Sequence, residues 1–223
     1  MPLLRRWILA NALGELLGLG GVAFLAGATL PAMERLLAGS SLRPLVAAGW
    51  LVALGAFEGW VVGHAQALAL SGTAIVARAW VRATVLGAVL AWALGMLPST
   101  VMAFLPHAQD AAAGPGPSRL VRLFLASSLG LVAGPILAAV QVRELRRVAR
   151  RPGLWLLANA LGWALGMPPV FAGIRALALH GPRPGVLLGC AAALFGAGAV
   201  VGLVEGLFLV RMLGDRFSAT GDI

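Results

Sequence analysis

Three glutamates interrupt long apolar stretches of this 223-residue chain: Glu15, Glu58 and Glu205. An ionisable side chain in hydrocarbon is costly, so such residues commonly bind protons or ions or line a polar path. Glu58 stands immediately before Gly59, and Glu205 immediately before Gly206. We therefore expect the two carboxylates at equivalent places, sharing a proton or binding a cation, with Glu15 as a candidate third member. The structural alternative is a protonated glutamic acid that bonds across a helix contact.

Amide side chains recur in pairs within the same stretches. Asn11 and Asn159 occupy matching positions, and so do Gln66 and Gln141. Asn and Gln inside a membrane span commonly hydrogen-bond across helices. The sequence therefore predicts interhelical polar contacts at these four residues, with His64 as a further candidate.

Motifs for enzymatic chemistry are absent from the sequence. There is no HExxH zinc motif, no phosphate-binding loop and no GxSxG nucleophile motif. Cys190 is the single cysteine, so neither an intramolecular disulfide nor a thiol metal site can form. We expect no enzyme, no metal site and no cofactor.

The composition indicates the elements that must carry these polar residues. The chain is 60% hydrophobic and 11% charged, with a mean hydropathy of +0.93. A helix needs about 20 mostly apolar residues to cross a bilayer. Six windows meet that length, so we predict an all-α membrane protein with spans at about 7–30, 45–70, 84–105, 120–141, 154–178 and 186–210.

Small residues four apart predict closely packed helices and an internal repeat. Residues at this spacing share one helix face and let another backbone approach. Together with the span order, the stripes predict three helical hairpins around a pseudo-threefold axis in one transmembrane domain, at about 1–75, 76–150 and 151–215, before a tail at 216–223. In this alignment Ala133 replaces the carboxylates of Glu58 and Glu205. The packing residues are Gly55, Gly59 and Gly63, then Gly130, Gly134 and Ala138, then Gly198, Gly202 and Gly206.

Two copies of a Trp, Asn and Gly pattern support the repeat. WILANALG at 7–14 returns as WLLANALG at 155–162. The middle copy fits in two ways one helical turn apart: either Trp80 matches Trp7 and Trp155, or WALGM at 92–96 matches WALGM at 163–167. Because Trp7, Trp80 and Trp155 all lie near span starts, we expect them in an aromatic belt at the membrane interface.

Arginine positions predict the orientation. Eleven of the 17 basic residues fall on the side that holds both termini, which the positive-inside rule assigns to the cytoplasm. The segment from Arg143 to Arg151 either anchors this topology or also binds anionic lipid. The arginines flank spans, so nucleic-acid binding is not expected. The eleven are Arg5, Arg6, Arg78, Arg82, Arg143, Arg146, Arg147, Arg150, Arg151, Arg211 and Arg216.

The segments WLLANALGWALG at 155–166 and GPILAAVQ at 134–141 resemble uncharacterised bacterial polytopic membrane proteins with repeated Trp/Asn/Gly hairpins. The resemblance covers most of the chain and implies a multi-pass protein of the bacterial inner membrane, but it implies no activity. The plan of three two-helix repeats is also that of mitochondrial carriers, whose proline and paired-charge motif is absent here.

Two functional classes follow from these observations. In the first, the protein is a small permease or channel for a proton, an ion or a small solute, and it uses the intramembrane carboxylates. In the second, it is a non-catalytic subunit of a larger membrane complex, or a homo-oligomer, in which the glycine faces serve assembly. Matched carboxylates favour the first class, whereas the scarcity of polar groups favours the second.

Overall fold

The computed structural model describes residues 2–105 and 116–214, and within them six helices are long and apolar enough to cross a membrane. The prediction of an all-helical, multi-pass membrane protein is confirmed at this level. The predicted tail at 216–223 lies outside the described residues. The helices are α1 (Leu3–Leu36), α2 (Arg43–Ala69), α3 (Ala77–Met102), α4 (Arg119–Leu145), α5 (Leu154–His180) and α6 (Pro184–Leu213).

Most helices extend beyond the apolar windows. Helix α3 begins at Ala77 rather than near 84 and includes Arg78 and Arg82. Arginine is a good helix former, and its long side chain can carry its charge to the membrane surface. Local signals set other ends: the Ser118 hydroxyl accepts from the Val121 amide at the start of α4. Hydrophobicity located the spans, but capping and propensity fixed their limits.

The six helices form a closed ring. Each packs against the helices that precede and follow it in the chain, and α6 packs against α1. Consecutive pairs form three hairpins: α1 with α2, α3 with α4, and α5 with α6. Contacts also join each hairpin to the next, so every helix has two neighbours.

Glycines on the even-numbered helices mediate the contacts between hairpins. A Cβ at Gly134 of α4 would overlap the backbone of Asn159 in α5, and one at Gly198 of α6 would overlap the backbone of Asn11 in α1. A Cβ at Gly59 of α2 would lie 2.7 Å from the Ala88 Cβ of α3. Without a hydrophobic driving force between helices in lipid, van der Waals packing at such small residues supplies much of the association energy.

Glycines on the odd-numbered helices mediate the contacts within hairpins. Gly14 lies against Val62, Gly87 against Leu137, and Gly162 against Val201. Each glycine follows a tryptophan of its own helix at the same spacing, after Trp7, Trp80 and Trp155 respectively. Trp80 therefore occupies the place of the other two tryptophans, and Trp92 lies farther along α3.

Burial is concentrated in one half of the bundle. This packed half contains the N-terminal parts of the odd-numbered helices and the C-terminal parts of the even-numbered ones. In the opposite half, large apolar side chains such as Phe24, Leu97 and Leu188 are exposed. The polar residues predicted to be functional therefore belong to the densely packed half.

The glycine contacts lead to a direct test. We expect Gly134→Leu to destabilise the protein by about 3 kcal/mol or more, because the added side chain must displace the backbone of α5. Gly189→Leu is the matched control, since nothing lies within 4 Å of a Cβ at that position. Thermal unfolding in detergent, followed by size-exclusion chromatography, measures both. Equal stability of the two variants would contradict the close-contact role of Gly134.

Candidate functional site

Three tryptophans occupy the centre of the packed half. Trp7, Trp80 and Trp155 each have no exposed surface. Their ring centroids are 5.9 Å, 5.8 Å and 6.0 Å apart, and all three pairs are edge-to-face, a favourable arrangement of aromatic quadrupoles. The expected aromatic belt is therefore wrong for these residues. Residues on adjacent turns share one helix face, and in these helices the face that carries the tryptophan also carries the glycine contacts with neighbouring helices. That face is turned inward.

Two glutamines accept hydrogen bonds from two of the three tryptophans in this tryptophan triangle. Gln66 donates from Nε2 to Asn11 Oδ1 at 2.9 Å, and its Oε1 accepts from Trp80 Nε1 at 3.0 Å. Gln141 donates to Thr84 Oγ1 at 2.9 Å, and its Oε1 accepts from Trp155 Nε1 at 2.8 Å. Each glutamine thus donates to the odd-numbered helix of its own hairpin and accepts from the tryptophan of the next.

Each tryptophan of the triangle, together with the side chain beside its indole nitrogen, forms one vertex. The third vertex holds a carboxyl group instead of a glutamine. Glu205 of α6 is buried, and its carboxyl lies beside Trp7 Nε1, as the two glutamines lie beside their tryptophans. The pair does not reach hydrogen-bond geometry. Trp7 Nε1, Glu205 Oε2 and Asn159 Oδ1 are all buried without a hydrogen-bond partner. Two vertices are therefore satisfied, whereas the vertex that contains the glutamate is not.

The contacts correct the expected equivalence of Glu58 and Glu205. Gly59, Gly134 and Gly198 are the glycines that approach the backbone one turn after Trp80, Trp155 and Trp7. Glu205 follows Gly198 at the spacing by which Gln66 follows Gly59. Glu205 thus takes a glutamine position. The sequence alignment failed because the α6 stripe has three evenly spaced glycines, which permits a shift of eight residues, about two turns.

Glu58 has a separate environment between α1, α2 and α3. Its Oε2 accepts from Trp92 Nε1 at 2.5 Å. Gly55 leaves room for the indole of Trp92, and Gly18 leaves room for Glu58 itself, whose Cγ would lie 3.2 Å from a Cβ there. In the alignment set by the contacts, Ala133 matches Glu58, and Ala197 replaces the carboxylate in the third hairpin.

Glu15 interacts electrostatically with both Glu58 and Glu205. It is 1% exposed, its Oε2 has no hydrogen-bond partner, and the charges of Glu58 and Glu205 both act on it. Among the described residues, none of the three glutamates forms an ion pair, and the ion pair found there joins Arg147 to Glu144 at 3.8 Å. The site therefore contains three carboxyl groups without a basic counter-charge.

Other predicted polar contacts have different outcomes. His64 is exposed, and its Nδ1 lies 2.8 Å from the Trp60 carbonyl of its own helix, so it does not bridge helices in this structure. Asn159 donates to the carbonyl of Trp155, also within its own helix, at 3.0 Å. Asn11 both bonds within its helix and accepts from Gln66.

Sequence reasoning missed Thr84 and Trp92. Thr84 follows Trp80 at the spacing by which Asn11 follows Trp7, and its hydroxyl likewise bonds to the tryptophan carbonyl one turn earlier, at 3.0 Å. Placing Trp80 in register with Trp7 would have identified Thr84. Trp92 gave no comparable signal, because its role depends on Glu58, which lies on another helix.

No protein-family model, curated protein or solved structure matches this chain. In the described parts of the chain, no group of three or more His, Cys, Asp and Glu side chains is arranged to hold a metal ion.

The glutamine vertices provide a second test. We expect Gln141→Leu to lower the free energy of unfolding by about 1–3 kcal/mol, because it leaves the buried Trp155 Nε1 without an acceptor. His64→Leu, on an exposed side chain of another even-numbered helix, should change it by less than about 0.5 kcal/mol. Denaturant or thermal unfolding of the reconstituted protein gives both values. A neutral Gln141→Leu would show that the bond to Trp155 adds no stability.

Proposed function

We propose that the protein is a small permease that couples transport to proton binding at its buried carboxyl groups. The observation that supports this proposal is the set of three membrane-buried glutamates without a basic partner. A buried, unpaired carboxylate is strongly unfavourable, so each group must take up a proton, bind a cation or meet water during some part of its cycle. Such groups commonly mark proton relays and ion paths in membrane proteins.

The contrast between vertices supports a functional rather than a purely structural role. Gln66 and Gln141 show that a glutamine at this position satisfies both neighbouring helices. Glu205 stands at the third such position with unpartnered polar atoms around it. A carboxyl group selected only to hold helices together would gain nothing over glutamine. Its value lies in a proton that glutamine cannot exchange.

The architecture that we propose for this permease is three hairpin repeats around a pseudo-threefold axis. The support is the set of matching contacts: three tryptophans in mutual contact, three glycine contacts within hairpins and three between them. Transporters are often built from internal repeats with their sites at the repeat interfaces. Glu205 and Glu58 both lie at contacts between hairpins.

We also propose that the protein lies in a bacterial inner membrane with both termini in the cytoplasm. The arginine bias supports this orientation. A cleft of about 470 Å³, lined by Arg150, Arg151 and Arg211 with Leu154 and Met212, lies beside the end of α6. Its charge and apolar floor suit an anionic lipid headgroup with the start of its acyl chain.

An accessory subunit is the second candidate function. The tryptophan triangle favours it, because three fully buried indoles fill the axis of the packed half. A transport cycle would have to move them apart. A stoichiometric membrane partner that co-purifies with the protein from native membranes, together with liposomes that remain tight, would support this alternative.

Flux into proteoliposomes tests the permease. We expect purified wild-type protein to carry protons down a pH gradient, alone or with a small solute or cation. Glu58→Gln combined with Glu205→Gln should reduce the rate by about tenfold or more, because glutamine cannot exchange a proton. The matched control is Glu34→Gln, on an exposed glutamate near the end of α1. Wild-type liposomes that are tight to protons, cations and small solutes would contradict the proposed function.

A further inference from the structure

Each of the three hairpins has one polar pair at the same register position relative to its glycine contact. Within the hairpins, Gly14 meets Val62, Gly87 meets Leu137, and Gly162 meets Val201. From each contact, three residues back on the odd-numbered helix and four residues forward on the even-numbered one lead to a pair of polar residues in the same register. The pairs are Asn11 with Gln66, Thr84 with Gln141, and Asn159 with Glu205.

Two of these pairs are hydrogen-bonded and the third is not. Gln66 donates to Asn11 and Gln141 donates to Thr84, both at 2.9 Å. In the third pair, Asn159 Oδ1 and Glu205 Oε2 are both buried and both lack a partner. The amide nitrogen of Asn159 donates to the carbonyl of Trp155, whereas its Oδ1 accepts no hydrogen bond.

The chemistry of the side chains explains the difference. Glutamine offers an NH₂ donor and a carbonyl acceptor, and it uses the first within its hairpin and the second toward the next tryptophan. An ionised glutamate offers acceptors only, so it cannot donate to the oxygen of Asn159. A protonated glutamic acid has one donor and one acceptor oxygen and matches glutamine in both directions.

We infer that Glu205, Asn159 and Trp7 form a proton-binding site. When the proton is bound, the third hairpin gains the hydrogen bonds that the other two hairpins already have. With the proton bound, the Glu205 hydroxyl donates to Asn159 Oδ1, and the second oxygen accepts from Trp7 Nε1. Loss of the proton removes the donor and places two acceptors against each other between α5 and α6. Proton release therefore weakens the contacts of α6 with α5, and proton binding restores them.

Charged groups around this site do not replace the proton. On α1, Glu15 acts on Glu205 as a like charge, Arg5 is exposed, and the guanidinium of Arg6 bonds to the carbonyl of Ser71 after α2 at 2.7 Å. Glu34 and Arg35 lie near the opposite end of α1, as Arg175 and His180 do in α5. On α6 itself, Arg211 lines the cleft beyond the site.

This inference deepens the proposed function by naming the group that binds the proton, but its test measures stability rather than flux. Thermal unfolding of the protein in nanodiscs is followed from acidic to alkaline pH at constant salt. Wild-type Tm should fall as pH rises. Glu205→Gln should flatten part of that dependence and raise Tm at alkaline pH by about 2–4 °C, the shift expected for one recovered hydrogen bond in a chain of this size.

Two further variants test the proton site independently if Glu205→Gln folds poorly. Gln141→Glu introduces a carboxyl group at a satisfied vertex and should match wild type at acidic pH but fall below it at alkaline pH. In an Asn159→Leu background, the gain from Glu205→Gln should disappear, because its acceptor is gone. A Glu205→Gln protein with unchanged pH dependence, or Gln141→Glu with no added dependence, would overturn the proton site.

The same experiment separates a proton from a small cation. Sodium titrated at alkaline pH should leave wild-type Tm unchanged, because the site between Glu205 and Asn159 binds a proton and not a metal cation. A sodium-dependent rise that Glu205→Gln abolishes would overturn proton binding in favour of cation binding. Tight proteoliposomes would count against the permease, yet a Tm profile of the expected form would still support the proton site.

Discussion

Close backbone approach at glycine is the constraint on which the rest of this structure depends. In lipid, water cannot drive apolar helices together, so the helices associate where small residues let many atoms reach contact distance. Gly59, Gly134 and Gly198 join the hairpins, while Gly14, Gly87 and Gly162 hold each hairpin together. These contacts close the ring of six helices and set the rotation of each helix about its axis. That rotation directs the tryptophans inward.

The polar groups near the tryptophan triangle follow from the same rotation. Once Trp80 and Trp155 face the centre, their buried indole N–H groups need acceptors, which Gln66 and Gln141 supply. The glutamines in turn need acceptors for their own amides, and Asn11 and Thr84 provide them. Packing and hydrogen bonding are therefore coupled. A change at the one unsatisfied vertex acts on the contacts of α6 with both of its neighbours.

The two carboxyl environments differ in a way that residue type does not reveal. Glu58 accepts from Trp92, an indole seated over Gly55. Glu205 lies beside Trp7 in a position that its counterparts fill with glutamine. The carboxyl group of Glu58 therefore accepts a hydrogen bond, whereas the carboxyl group of Glu205 lies at a position that requires a hydrogen-bond donor. This asymmetry makes Glu205 the more informative of the two for the chemistry of the bundle.

The sequence by itself determined the six spans, the buried glutamates and the paired amides, because hydrophobic length and polar residues within it are local properties. It also identified the glycines of the even-numbered helices that contact the next hairpin. Only the tertiary structure decided which face of each helix turns inward, which moved the tryptophans from an expected belt to the centre. It likewise decided that Glu205 pairs in register with Gln66 rather than with Glu58. A glycine stripe repeats every turn, so its sequence tolerates shifts of four or eight residues, whereas packed backbones and hydrogen bonds permit a single register.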